Sequence, residues 1–244
     1  MKSKLWMIAV IAVPVISAAL FLASDPAADT LTRYIPMAEA FAAGDREDAF
    51  HPRFGILFPV LSGTLIRLGC SGFLACQLTG LLFFLAAALP LYGIFREFCR
   101  RQTALLGVMF YFFCSHLHRI FYAGLRENLK TFALALLVWG LLVLYRDAKS
   151  WKAAIAAGIG GAMLASIRAE GFAFAACALL ILIGYDLRRR CLRNGRSLTA
   201  VLLFLILLTP QLLLNYCWTG YPVPFSGYLR AAAGIGWETE VPHE

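Results

Sequence analysis

Charged side chains are scarce in this sequence: 15% of its 244 residues are Asp, Glu, Lys or Arg, against 61% hydrophobic. A soluble domain of this length has too little interior to hide so much apolar surface, so that class is excluded. Short segments of alternating polarity are missing as well, which excludes a transmembrane barrel. No soluble domain, repeat, low-complexity run or linker interrupts the chain. The seven cysteines (Cys70, Cys76, Cys99, Cys114, Cys177, Cys191 and Cys217) contain no Cys-x-x-Cys pair. They read as inert membrane thiols, with a Cys70–Cys76 disulfide left open. His116-x-His118 offers two imidazoles, and two ligands do not make a metal site. Neither a metal nor another cofactor is expected. The net charge is +8, but there is no basic stripe and no nucleic-acid motif, so a nucleic-acid partner is not expected.

What is present is a series of long apolar blocks, at 5–23, 54–68, 73–95, 103–118, 129–145, 152–167, 171–185 and 198–217. Backbone polar groups in lipid must be satisfied within the segment, so these blocks are read as helices of an all-α, polytopic membrane protein. The cations cluster between blocks, where they set topology. If every block crossed, Arg96, Arg100, Arg101 and the arginines of 186–197 would lie outside, against the positive-inside rule. If 54–68 instead lies in the outer interface or dips in and returns, 13 cations and three acids fall inside, and nine cations and 11 acids outside. Pro59, Gly63 and Arg67 suit such a short segment. The expectation is therefore seven spans in one membrane-embedded module over 1–244, N-terminus cytoplasmic and C-terminus outside, in a bacterial inner membrane. Lys2-Ser3-Lys4 before the first block could open a secretory signal, and it is read here as an uncleaved span. Residues 152–185 as one helix would run about 50 Å, too long for a hydrocarbon core of about 30 Å. Two spans turning at Arg168-Ala169-Glu170-Gly171 fit better, with Gly171 easing the turn.

Outer-face polar residues concentrate in the loop 24–53, which holds six acids (Asp25, Asp29, Glu39, Asp45, Glu47, Asp48) and three arginines (Arg33, Arg46, Arg53). Leu31–Ala43 reads as an interfacial helix with Asp29 at its N-terminal end and Gly44 as its stop. The order is informative: an acid before Thr-Arg-Tyr-x-x-x-Ala, then Gly, then His51-Pro52-Arg53 leading into an apolar block. Arg168-Ala169-Glu170-Gly171 follows a Gly/Ala-rich span, and Asn215-Tyr216 precedes Gly220-Tyr221-Pro222-Val223-Pro224.

This order resembles the GT-C superfamily of polyprenyl-phosphate-sugar-dependent glycosyltransferases, which includes protein mannosyltransferases and lipid A aminoarabinose transferases. Their pattern is Asp-Glu-x-x-Tyr-x-x-x-Ala, a later His/Lys-Pro-Pro, and Arg-Pro-Glu-Gly. Here Thr30-Leu31 stands in register with the acidic pair, which moves the acid to Asp29, and Arg53 replaces a second proline. The resemblance implies inverting transfer of a sugar from a polyprenyl-phosphate carrier to a lipid, glycan or protein acceptor on the outer face, within membrane lipid. It makes Asp29 the base, with Asp25 in reserve. Arg53, Arg119, Arg126 and Arg168 become candidates to hold the phosphate, and Arg33, Tyr34, His51, Glu127 and Glu170 further substrate contacts.

Each assignment has a plainer competitor. Asp29 can be a helix N-cap, Arg168 and Glu170 an interfacial ion pair, and Arg126-Glu127-Asn128 the cap and anchor of a span. At the level of the whole chain, the competing readings are a truncated or non-catalytic relative and a transporter or flippase subunit. A transporter would carry ionisable groups at mid-span, whereas the span interiors here are nearly free of them.

Overall fold

The computed structural model describes residues 25–50, 54–188 and 195–219, which are helical almost throughout and contain no strand. The run 5–23, His51, Pro52, Arg53 and the segment from Gly220 onward lie outside the described residues. A wide, π-type turn at Thr30–Tyr34 leads into α1 (Ile35–Ala43) and the short α2 (Arg46–Ala49). Then follow α3 (Leu57–Arg67), α4 (Gly72–Ala86), α5 (Ala88–Phe98), α6 (Arg101–Phe112) and α7 (Ser115–Tyr122). The chain continues with α8 (Glu127–Arg146), α9 (Trp151–Ala165), α10 (Ala169–Arg188) and α11 (Arg196–Thr219).

Four stretches are long and apolar enough to cross a bilayer: Gly72–Phe98, Glu127–Arg146, Ala169–Arg188 and Arg196–Cys217. Large apolar side chains such as Leu82, Leu89, Leu180, Ile181 and Ile206 point outward from them, which suits lipid rather than water. The chain is an all-α integral membrane protein. Pro90 explains the break between α4 and α5: it has no N–H to offer the Ala86 carbonyl one turn back. The 54–68 block forms α3, which at 11 residues is too short to cross. It packs beside α1 and α4 instead. The block 103–118 differs from expectation. It divides at Phe113–Cys114 into α6 and α7, and the polar residues of Ser115–Arg119 explain why the apolar helix does not simply continue.

At the centre α9 packs against α8, α10 and α11. Its face of Ala153, Ala154, Ala157, Gly158, Gly160 and Gly161 is buried. A Cβ on Gly160 would fall 2.5 Å from the Leu137 backbone nitrogen, and one on Gly158 2.7 Å from the Ala200 carbonyl. Small residues let backbones approach in this way, which is how helices associate where lipid removes the hydrophobic drive. Leu129, Leu137, Leu144, Leu164, Leu179, Phe204 and Leu208 fill the surrounding core.

The bundle has two chemically distinct ends, joined by α8, whose 20 residues span about 30 Å. At its far end Arg146 pairs with Glu97 at 2.9 Å. Arg196 donates to the Lys149 carbonyl at 3.4 Å and stacks 3.7 Å from the Trp151 ring. The ends of α5 and α8 and the starts of α9 and α11, with Arg146, Lys149 and Arg196, therefore gather at one end. The loop 25–50, α7 and the starts of α8 and α10 gather at the other.

Candidate active site

Two sets of hydrogen bonds assemble that second end. The Ala27 N–H and the Thr30 hydroxyl both donate to the Ala123 carbonyl, at 3.1 and 2.7 Å, tying the acidic loop to the turn before α8. Gln77 donates to the Tyr122 carbonyl at 2.8 Å and Asn128 to that of Leu117 at 3.4 Å, fixing α7 between α4 and α8. On the opposite side the Leu57 N–H donates to the Ser166 carbonyl at 3.3 Å, and the Ile56 N–H to Gln211 Oε1 at 2.9 Å. Gln211 in turn donates to Asn215 at 2.9 Å. Gly55 makes this junction possible: a Cβ there would lie 2.0 Å from the Ser166 carbonyl oxygen. Gly171 serves a similar purpose, and this corrects the role expected of it. It sits inside α10, where a Cβ would meet the Leu164 carbonyl at 2.2 Å, so it permits close packing rather than a turn.

Arg126 lies at the centre, only 7% exposed. It donates to the Ile167 carbonyl at 3.2 Å, and its guanidinium stands 5.4 Å from the Tyr34 ring and 5.9 Å from that of Phe54. It makes no ion pair among the described residues, and its Nε has no partner. The adjacent Glu127 also has a buried carboxylate oxygen, Oε2, without a partner. Burial holds the Arg126 pKa below its ordinary value and lifts that of Tyr34 above its own. The charges of Asp29, Glu127 and Arg168 bear on both. A guanidinium remains charged under such pressure, so this is a cation held ready in a poorly solvated place.

Around the rim, Asp29 pairs with Arg33 at 3.1 Å, both about half exposed, and Arg33 stacks 5.2 Å above Phe54. Asp29 does not cap the helix with its side chain. Arg168 and Glu170 form a long, exposed pair at 4.0 Å. Tyr34 packs edge-on against Phe58 at 5.3 Å. Asp29, Arg33, Tyr34, Arg126, Glu127, Arg168 and Glu170 thus share one end. Arg119 is exposed on α7 and joins no ion pair or ring contact among the described residues, and Asp25 is exposed. His51 and Arg53 lie outside the described residues, as does the His116 side chain. His118 packs on the Phe84 ring and bonds to the Phe112 carbonyl. The cysteines of the described residues, Cys70 and Cys76 included, are free thiols. Phe54, Gly55 and Gln211 belong to the site but were not singled out from sequence. A glutamine after a proline inside an apolar span was the available signal for Gln211.

A cation shielded from water beside an aromatic wall, with acids at the rim, is an arrangement that can hold a phosphate leaving group against a hydroxyl nucleophile. A family model described as dolichyl-phosphate-mannose-protein mannosyltransferase matches residues 54–214. The chain belongs to that family. It is accordingly a membrane glycosyltransferase of the GT-C type. The matched region contains Gly55, Arg126, Glu127, Arg168, Glu170 and Gln211, while Asp29, Arg33 and Tyr34 precede it. No curated protein and no solved structure matches the chain.

Proposed function

We propose that the protein transfers a sugar from a polyprenyl-phosphate carrier to a hydroxyl of a lipid, glycan or protein acceptor. The observation that supports this best is Arg126: a buried cation that makes no ion pair among the described residues, in a family whose description names a lipid-phosphate sugar. Arg126 takes the phosphate, and Arg168, exposed at the rim, guides the anion in. The acceptor oxygen attacks the anomeric carbon, the bond to the phosphate oxygen breaks, and the carrier leaves as a phosphate with both bonding electrons. A carboxylate accepts the acceptor proton; Asp29 holds this role, with Asp25 in reserve. Inversion follows from a single displacement. The basic end faces the cytoplasm and the site the outside of a bacterial inner membrane, which makes the transfer extracytoplasmic.

The test is donor turnover. The purified protein in liposomes, given polyprenyl-phosphate mannose, glucose or arabinose and an acceptor extract of membranes, should release polyprenyl phosphate from at least one donor. Turnover of none would refute the proposal.

A further inference from the structure

The carboxylates at the site end are not equivalent. Asp29 Oδ1 is held by Arg33, and Glu170 faces Arg168 in the open. Asp186, the buried acid of α10, lies at the other end and accepts from Ser197. Among the described residues, Glu127 alone has a carboxylate oxygen that is both buried and without a donor. Such an oxygen is costly to leave unpaired, and it calls for a missing partner.

The position of Glu127 says what that partner is. It follows Arg126 directly in the first turn of α8, and successive side chains leave a helix about 100° apart. That spacing keeps the two groups from pairing with each other, while their charges still act on one another, so both can face one ligand, one as donor and the other as acceptor. Arg126 Nε, on a side chain more than nine-tenths buried, is also unpartnered, so the pair presents an open donor and an open acceptor together. A carboxylate accepts hydrogen bonds and repels phosphate, so its ligand is the hydroxyl-bearing part of the donor rather than its anion.

Building on the transfer reaction assigned above, we propose that Glu127 Oε2 accepts a hydrogen bond from a hydroxyl of the carrier-bound sugar, making Glu127 a determinant of donor specificity. Arg126 then senses that a phosphate is present, and Glu127 senses that a sugar is attached to it. A bare carrier returning after transfer satisfies only the first, which favours its release over the loaded donor.

Equilibrium binding to the full-length protein in detergent separates these roles, using polyprenyl phosphate and its mannosyl, glucosyl and arabinosyl derivatives as probes. Wild type should bind at least one glycosylated carrier more tightly than the bare one. Glu127→Gln, which keeps the shape and removes the charge, should weaken that complex about 10- to 100-fold, the worth of a hydrogen bond to a charged group. It should not weaken binding of the bare carrier, which loses only a repulsion, and that retained binding also reports that the variant is folded. Glu127→Ala should repeat the pattern. The Glu127 assignment is overturned if glycosylated carriers bind no better than the bare one, or if the Glu127 variants weaken both alike or neither. Failure of wild type to bind even the bare carrier would instead sink the underlying donor assignment.

Discussion

Replacing Arg126 with methionine sets the functional account of this residue against a structural one. The substitution removes a hydrogen bond from a charged donor to the Ile167 carbonyl, about 1.5–3 kcal/mol. It also removes two ring contacts, at 5.4 and 5.9 Å, together about 1–2 kcal/mol. Against these stands relief from holding out of water an ion that makes no ion pair among the described residues, several kcal/mol in real proteins. The terms nearly cancel, so Arg126→Met should unfold within about 2 kcal/mol of wild type. That is a small change for a side chain so deeply buried. Leu129→Ala, at a fully buried residue in the first turn of α8, provides the contrast and should cost about 2–5 kcal/mol. Turnover of the lipid-phosphate donor should move the other way. Arg126→Met loses the charge that stabilises the leaving phosphate and falls about 10²- to 10³-fold, while Leu129→Ala keeps its rate per folded molecule. Thermal unfolding in detergent, paired with donor turnover normalised to folded protein, measures both. An Arg126→Met protein as unstable as Leu129→Ala that still turns over donor at the wild-type rate would refute the reasoning, because the arginine would then be structural.

The remaining predictions concern the frame around that cation. Gly55→Ala has no space, since its Cβ would sit 2.0 Å from the Ser166 oxygen; donor turnover should collapse, with little change if alanine is tolerated and the junction does not matter. Asp29→Asn should lower turnover without altering binding of the bare carrier, and full turnover would remove Asp29 from the chemistry. Breaking the partly exposed Arg146–Glu97 pair with Arg146→Gln should shift stability by about 1 kcal/mol or less and leave turnover alone. In sealed cells a membrane-impermeant thiol reagent should reach Cys70 and miss Cys99 in single-cysteine variants; labelling of Cys99 would invert the orientation on which the outer site depends.

Much of the frame was legible because hydropathy and charge act on a segment whatever its neighbours. The runs around 73–95, 129–145, 171–185 and 198–217 needed only length and composition to be read as long helices, and helices stand there. Placing Arg146 and Arg196 at one end needed only the asymmetry of cations between loops, and the contacts of Arg146 with Glu97 and of Arg196 with Lys149 hold that end together. Residues 103–118 defeated the same reading. A window average lets Leu105 to Phe113 conceal the polar run that begins at Ser115, so a helix break passed for one span. Gly171 was misassigned for a related reason: a glycine near a turn looks like a turn residue, and the Leu164 carbonyl that forbids a side chain belongs to another helix.

The site was legible as a set of residues but not as a hierarchy. Sequence order pointed first to Asp29, because an acid ahead of Thr-Arg-Tyr carries the resemblance, and it ranked Arg126 among several arginines. Packing reverses the emphasis. Asp29 is exposed and held by Arg33, whereas Arg126 is covered by Tyr34 and Phe54 and bonded to Ile167. Burial of that kind arises where five distant segments meet, through Thr30 on Ala123, Ile56 on Gln211 and Gly55 against Ser166. None of these contacts has a local signature, because each depends on a partner at least 90 residues away. A charge at the start of an apolar helix therefore reads as an ordinary anchor until those segments close over it. Desolvation with no ion pair among the described residues is then what would separate a phosphate-holding arginine, the role proposed for Arg126, from an anchoring one.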